Sequence, residues 1–184
     1  MDWKVPLVEI DVTDSDVDSV LDCLRSGWLT MGPRTQAFEA ALAERVGVKH
    51  AIAVASGTAA LHLACRAAGL GAGDEAIVPS FAFVAAAHAP RYLGAEAVLC
   101  DCGSGDCGID PARVEALIGP RTKAVIAVHM WGYPAAVEAL RALCDERGLV
   151  LIEDCAEAIG ARLPGGRPVG ASGDLGCFSF FSKK

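Results

Sequence analysis

With 184 residues, 53% of them apolar, the chain has material for one domain with a sizeable core. Its formal charge of −7 and lack of a basic cluster outside the final lysine pair argue against a nucleic-acid-binding surface. Apolar runs break within about ten residues, short of the roughly twenty a bilayer-spanning helix needs. No basic segment introduces an apolar run as in a secretory signal, so a cytoplasmic protein without membrane contacts is expected.

The eight cysteines, at 23, 65, 100, 102, 107, 144, 155 and 177, are scattered as buried small hydrophobes would be in a reducing compartment. Only CDCGSGDC (100–107) clusters. It lacks a second CxxC or a histidine pair, so the expectation is a thiol-rich loop and no metal.

In chain order, 14–25 has Val17, Val20, Leu21 and Leu24 at helical spacing with Gly27 closing the run, and 35–46 carries a Phe38, Leu42, Val46 stripe. An alternation then begins. Strands are expected at 50–55, 75–79, 95–100, 123–129, 149–153 and 177–181, with helices at 57–70, 82–92, 110–118 and 134–147. Near-uniformly apolar strands alternating with helices require parallel crossovers and burial of both sheet faces. The fold class is therefore α/β, a three-layer α/β/α domain with a mainly parallel sheet. Residues 1–48 form an N-terminal helical segment with a substrate loop, and 49–184 form the large domain.

Ligands of such sheets collect outside the carboxyl ends of the strands. The first strand end reads Ser56-Gly57-Thr58-Ala59, a helix start whose free amides suit an anion, or simply an N-cap. The next has Phe81 and Phe83, a plate for a ligand ring or core packing. Another carries Glu153 and Asp154, of which at least one needs a cationic partner if buried, while a strand surfacing is the plain account of Glu153. His129 and Trp131 share the same rim, and a lone histidine is more often structural. The glycine-rich GLGAGDE (69–75) follows a helix and precedes a strand, the reverse of a dinucleotide fingerprint. A phosphate cradle, an aromatic plate, a carboxylate and a lysine together suit pyridoxal 5′-phosphate. The helix start holds its phosphate, Phe83 covers its ring, Asp154 pairs with its pyridinium N–H, and a lysine forms the Schiff base.

The segments SGWLTMGPRTQAFE (26–39), VASGTAALHLA (54–64), IVPSFAFVAAAHAPRYLGA (77–95), VHMWGYPA (128–135), IEDCAEAIGA (152–161) and GCFSFFSKK (176–184) resemble the N-terminal half of the DegT/DnrJ/EryC1/StrS sugar aminotransferases. These are fold-type-I pyridoxal-phosphate enzymes with an aspartate aminotransferase-like large domain. The resemblance implies Thr58, Ala59 and Ser179 as phosphate ligands, Phe83 as the stacking residue and Asp154 as the ring-nitrogen partner. Lys184, five residues after Ser179, takes the Schiff-base position, leaving Lys183 as a neighbour. Glu157 stands where many relatives carry Gln or His near the ring hydroxyl, and must be protonated or accept a hydrogen bond there.

Relatives continue for roughly as long again beyond the lysine, through the rest of the large domain and a small C-terminal domain. The chain is therefore expected to be a piece whose C-terminal part is missing. The implied reaction moves an amino group from an amino acid, expected to be glutamate, to a nucleotide-linked keto sugar in amino-sugar biosynthesis. Lys184 acts as general acid–base, Trp28 and Trp131 are candidate substrate contacts, and a homodimer is the expected assembly. Two alternatives are a pyridoxamine-dependent sugar dehydratase, in which histidine would replace Lys184, and a truncated non-catalytic paralogue serving as an interaction module.

Overall fold

The computed structural model describes residues 4, 9–103, 105 and 107–182. Lys183 and Lys184 lie outside the described residues. Thr13 opens helix α1 (Asp14–Ser26) as a reciprocal capping box with Asp16, and Gly27, at φ 70°, closes it. Helix α2 (Pro33–Val46) starts on proline and ends on Gly47 in the left-handed region. Then come α3 (Gly57–Ala67), β1 (Glu75–Pro79), α4 (Ala85–Arg91), β2 (Glu96–Cys100), α5 (Pro111–Leu117) and β3 (Thr122–Val128). A single 3-10 turn at Met130–Gly132 leads to α6 (Val137–Arg147), β4 (Val150–Asp154) and β5 (Leu175–Cys177).

The five strands form one sheet in the order β2-β1-β3-β4-β5, and every pair is parallel. Alternate residues of each strand point to opposite faces. Ala76, Val78, Ile126, Val128 and Ile152 pack under α3 and α4, whereas Ile77, Val125, Ala127 and Leu151 pack under α5 and α6. This is the expected three-layer α/β/α architecture, with the thiol-rich segment as a loop bridged at Cys102 and Ile109.

Two strand expectations need correction. Residues 50–55 join no ladder among the described residues. Ile52 is 78% exposed, and the Ala53 amide donates to the Glu39 carboxylate at 2.7 Å. An apolar run becomes a strand only where another strand offers its edge, and none among the described residues does so here. The final strand ends at Cys177 rather than 181, because β4, its one ladder partner among the described residues, itself ends at Asp154 opposite Cys177. Phe180 and Phe181 lie exposed beyond it, with Phe180 edge-on to Phe38 at 4.9 Å between ring centres.

Candidate active site

The carboxyl rim of the sheet brings together the ends of β1, β3, β4 and β5 and the start of α3. At the start of α3, Ser56 is the N-cap: its hydroxyl accepts from the Ala59 amide at 3.1 Å and its carbonyl from the Ala60 amide at 2.9 Å. The other first-turn amides, those of Gly57 and Thr58, belong to the positive end of the helix. Ser179 is brought against this turn. A Cβ built on Gly57 would stand 3.0 Å from the Ser179 Cβ, 3.4 Å from its hydroxyl and 3.3 Å from the Phe178 carbonyl. Glycine at 57 is what lets the two segments close on each other.

Asp154 ends β4, pairs in register with Cys177 of β5, and is 5% exposed. One of its carboxylate oxygens accepts from the Ala156 amide at 3.0 Å. It thus sits one strand away from the segment that carries Ser179. On the β3 side, the turn carrying Trp131 is conformationally strained, with φ 51° at Trp131, a value that costs an L residue roughly 1–2 kcal/mol. Two contacts hold it: the Trp131 amide donates to the Glu157 carboxylate at 3.3 Å, and its indole packs edge-on against Phe81 at 5.5 Å. Glu157 is therefore engaged with the Trp131 turn. Phe81 and Phe83 are both exposed on the rim, so neither is core packing. Trp28 is folded over Gly32, with its indole N–H donating to the Met31 carbonyl at 3.0 Å.

Glu153 departs from expectation. It does not surface, being fully buried. One oxygen accepts from the Ser172 amide at 2.8 Å and from the Gly173 amide. The other accepts from the Gly170 amide at 2.9 Å and meets His129 Nε2 at 3.0 Å. The Ala135 amide donates to His129 Nδ1 at 3.0 Å, which places the ring proton on Nε2, directed at Glu153. Burial pushes the Glu153 carboxyl up, but the bonds from His129 and the three amides outweigh it and hold it below its ordinary value. With Cys155, these side chains put three donor atoms within 4.8 Å. Both imidazole nitrogens and both carboxylate oxygens are already committed, and burial together with the Glu153 charge pushes the Cys155 thiol well up. The cluster is a hydrogen-bond network rather than a metal cage.

Sequence reasoning missed Glu153 and read His129 only as a rim imidazole. The signal that pointed to them is GASGDLG (170–176). A Cβ at Gly173 would lie 2.7 Å from the Leu151 carbonyl, and one at Gly176 would run into the backbone of Gly170. Glycines at these positions let the backbone lie directly on β4, where its amides reach a buried acceptor.

A groove of about 650 Å³ runs between residues 50–57 and the β5 side, and includes Ser56, Gly57 and Ser179 but neither Asp154 nor Phe83.

The chain is 43% identical to a UDP-N-acetyl-3-dehydro-α-D-glucosamine 3-aminotransferase of Acidithiobacillus ferrooxidans, over 98% of this chain and 50% of that protein. It is 42% identical to a GDP-perosamine synthase of Vibrio cholerae, over 98% of this chain and 49% of that protein. A sugar aminotransferase of Streptococcus pneumoniae in its PLP form superposes with a TM-score of 0.94 at 29% identity, over 99% of this chain and 50% of that one. The chain spans about half the length of the curated relatives it matches. Such a sheet is the large-domain fold of pyridoxal-phosphate aminotransferases. The profile of the DegT/DnrJ/EryC1/StrS aminotransferase family matches residues 11–184, and the chain belongs to that family.

Pyridoxal 5′-phosphate is the family's cofactor, and the residues present fit it. The Ser179 side chain lies against the first turn of α3, a helix N-terminus of the kind that suits a phosphate. The nearly buried Asp154 carboxylate, on the same rim, suits a ring cation.

Proposed function

We propose that the protein transfers an amino group from an amino acid, with glutamate as donor, to a nucleotide-linked keto sugar. The observation that carries this reading is the convergence of Ser179 on the Gly57 turn, one strand from Asp154. In this reading the amides at the start of α3 and the Ser179 hydroxyl bind the phosphate, Phe83 covers the ring, and Asp154 keeps the pyridine nitrogen protonated. The cofactor, when bound, supplies an electron sink for breaking the Cα–H bond of the amine-bearing substrate. Lys184 would anchor the cofactor, and its freed Nζ would carry the proton between the substrate's Cα and the cofactor's C4′. Glu157 braces the Trp131 turn, whose exposed indole is a candidate wall for the sugar.

The relatives support the substrate class without naming the base. Proteins named for UDP- and GDP-linked sugars match this same half at 42–43% identity, and a protein crystallised in the presence of its TDP-sugar product matches it at 41%. In the full-length protein, Lys184→Ala is expected to abolish the visible absorbance of covalently held cofactor and amino transfer. Lys183→Ala is expected to keep both. Borohydride trapping and peptide mapping locate the modified lysine, and a reduced adduct on Lys183 overturns the assignment. A panel of UDP-, GDP- and TDP-linked keto sugars, assayed with glutamate, tests the substrate class.

A further inference from the structure

The doublet Glu153-Asp154 sits on consecutive residues of β4, so the two carboxylates leave the sheet on opposite faces. Asp154 shares the α3 face with Ile152, while Glu153 shares the α6 face with Leu151. The proposed chemistry uses Asp154 and leaves Glu153 without a role, although it is buried and bonded at every oxygen.

A continuous line of contacts joins it to the phosphate end of the site. Glu153 holds the Gly170 amide at 2.9 Å. Gly170, at φ 85°, lies under the Phe178 ring so closely that a Cβ there would come within 2.6 Å of it. The Phe178 carbonyl and Ser179 in turn bound the Gly57 turn. The Ser172 and Gly173 amides, held by the other oxygen, fix the loop that runs directly into β5. His129 fixes the carboxylate from the β3 side.

We propose that Glu153 is a positioning residue for the phosphate cradle: from the far face of the sheet it sets the 170–173 loop, and through Gly170 and Phe178 it sets Ser179 against the start of α3. This rests on the cofactor reading above. In Glu153→Gln, one acceptor oxygen becomes an NH₂ donor. Placed toward Ser172 and Gly173 it opposes two amides; placed the other way it opposes the Gly170 amide and His129. Moving the His129 proton to Nδ1 gives no relief, because Nδ1 faces the Ala135 amide. Either orientation releases at least one loop amide.

The test compares the affinities of the full-length protein for pyridoxal 5′-phosphate and for pyridoxal, which lacks the phosphate. The Schiff base is common to both ligands, so the ratio of the pyridoxal Kd to the pyridoxal 5′-phosphate Kd reports the phosphate cradle. Glu153→Gln is expected to lower that ratio about tenfold, the scale of one lost charge-assisted hydrogen bond, with the pyridoxal affinity itself little changed. A variant that keeps the wild-type ratio overturns the proposal, as does equal weakening of both ligands, which is the mark of a merely structural role. If Glu153→Gln does not fold, hydrogen exchange of the wild type decides. Stronger protection of residues 170–173 with the phosphorylated ligand than with pyridoxal supports the coupling, by reciprocity, and equal protection overturns it. A wild type that does not prefer the phosphorylated ligand instead fails the cofactor reading itself.

Discussion

At the scale of the residue, a strand-end carboxylate has two fates that sequence alone does not separate. Asp154 stands out in the sequence because its neighbours on other strand ends form a ligand-like set. Glu153 does not, since apart from His129 its partners are backbone amides some twenty residues downstream, marked in the sequence only by the glycines that let the chain lie there. Its burial has a consequence for acid stability. The folded-state carboxyl is held below its ordinary value, so its contribution is fully present above the unfolded value of about 4.3 and is lost as pH falls through the lowered folded value. Asp174, bonded to Arg141 and to the Leu151 amide, is lowered as well and adds to the same acid limb. The groups facing Glu153 are His129 and Cys155, with Asp154 on the opposite face. The difference in Tm between wild type and Glu153→Gln is expected to be largest at neutral pH and to shrink as pH falls below about 4.3, where the unfolded carboxyl takes up its proton. A difference that stays constant down to pH 3 contradicts the ionised cradle.

At the scale of the element, the helices and strands β1 to β4 were readable because each helix carries its own period and each strand is an apolar run with its own stop signal. The segment 50–55 looked like a fifth strand of the same kind. Its composition specifies an apolar extended run, but a ladder is a property of two segments, and the sequence of one does not state the position of the other. The start of α3 was readable for a different reason: Ser-Gly-Thr after an apolar run places a cap and a small residue where backbone amides open. What the sequence did not reveal is why residue 57 is glycine, which becomes clear only with Ser179 against it. Gly57→Ala removes no hydrogen bond and places a better helix former in the first turn. Its Cβ must nonetheless displace Ser179 or the Phe178 backbone. The expected outcome is a Tm within about 1 kcal/mol equivalent of wild type but markedly weaker binding of pyridoxal 5′-phosphate, with pyridoxal less affected, measured by absorbance titration. Unchanged phosphate affinity in this variant removes Ser179 from the cradle.

At the scale of the whole molecule, the distribution of apolar surface is uneven. Both faces of the sheet are covered, yet α1 buries none of its residues, and Val17, Val20, Leu21 and Leu24 form an exposed apolar stripe. Ile10, Val12, Leu29 and Met31 are exposed at the two ends of that helix. Contiguous apolar exposure of this kind is characteristic of a surface that meets protein rather than water. The 184-residue chain on its own is therefore expected to self-associate, with a sedimentation coefficient that rises with concentration. Because α1 packs no core side chain, Val20→Lys with Leu24→Lys can interrupt the stripe without opening a cavity. That double variant is expected to sediment as a smaller, concentration-independent species while keeping the wild-type Tm. In the full-length protein, where a homodimer is the expected assembly, the same pair tests whether α1 contributes to the dimer interface. A loss of dimer at equal Tm places α1 there, and an intact dimer assigns the stripe to contacts within one subunit. A wild-type chain that stays monomeric and unfolds cooperatively at every concentration tested would show that this exposed stripe drives no association at all.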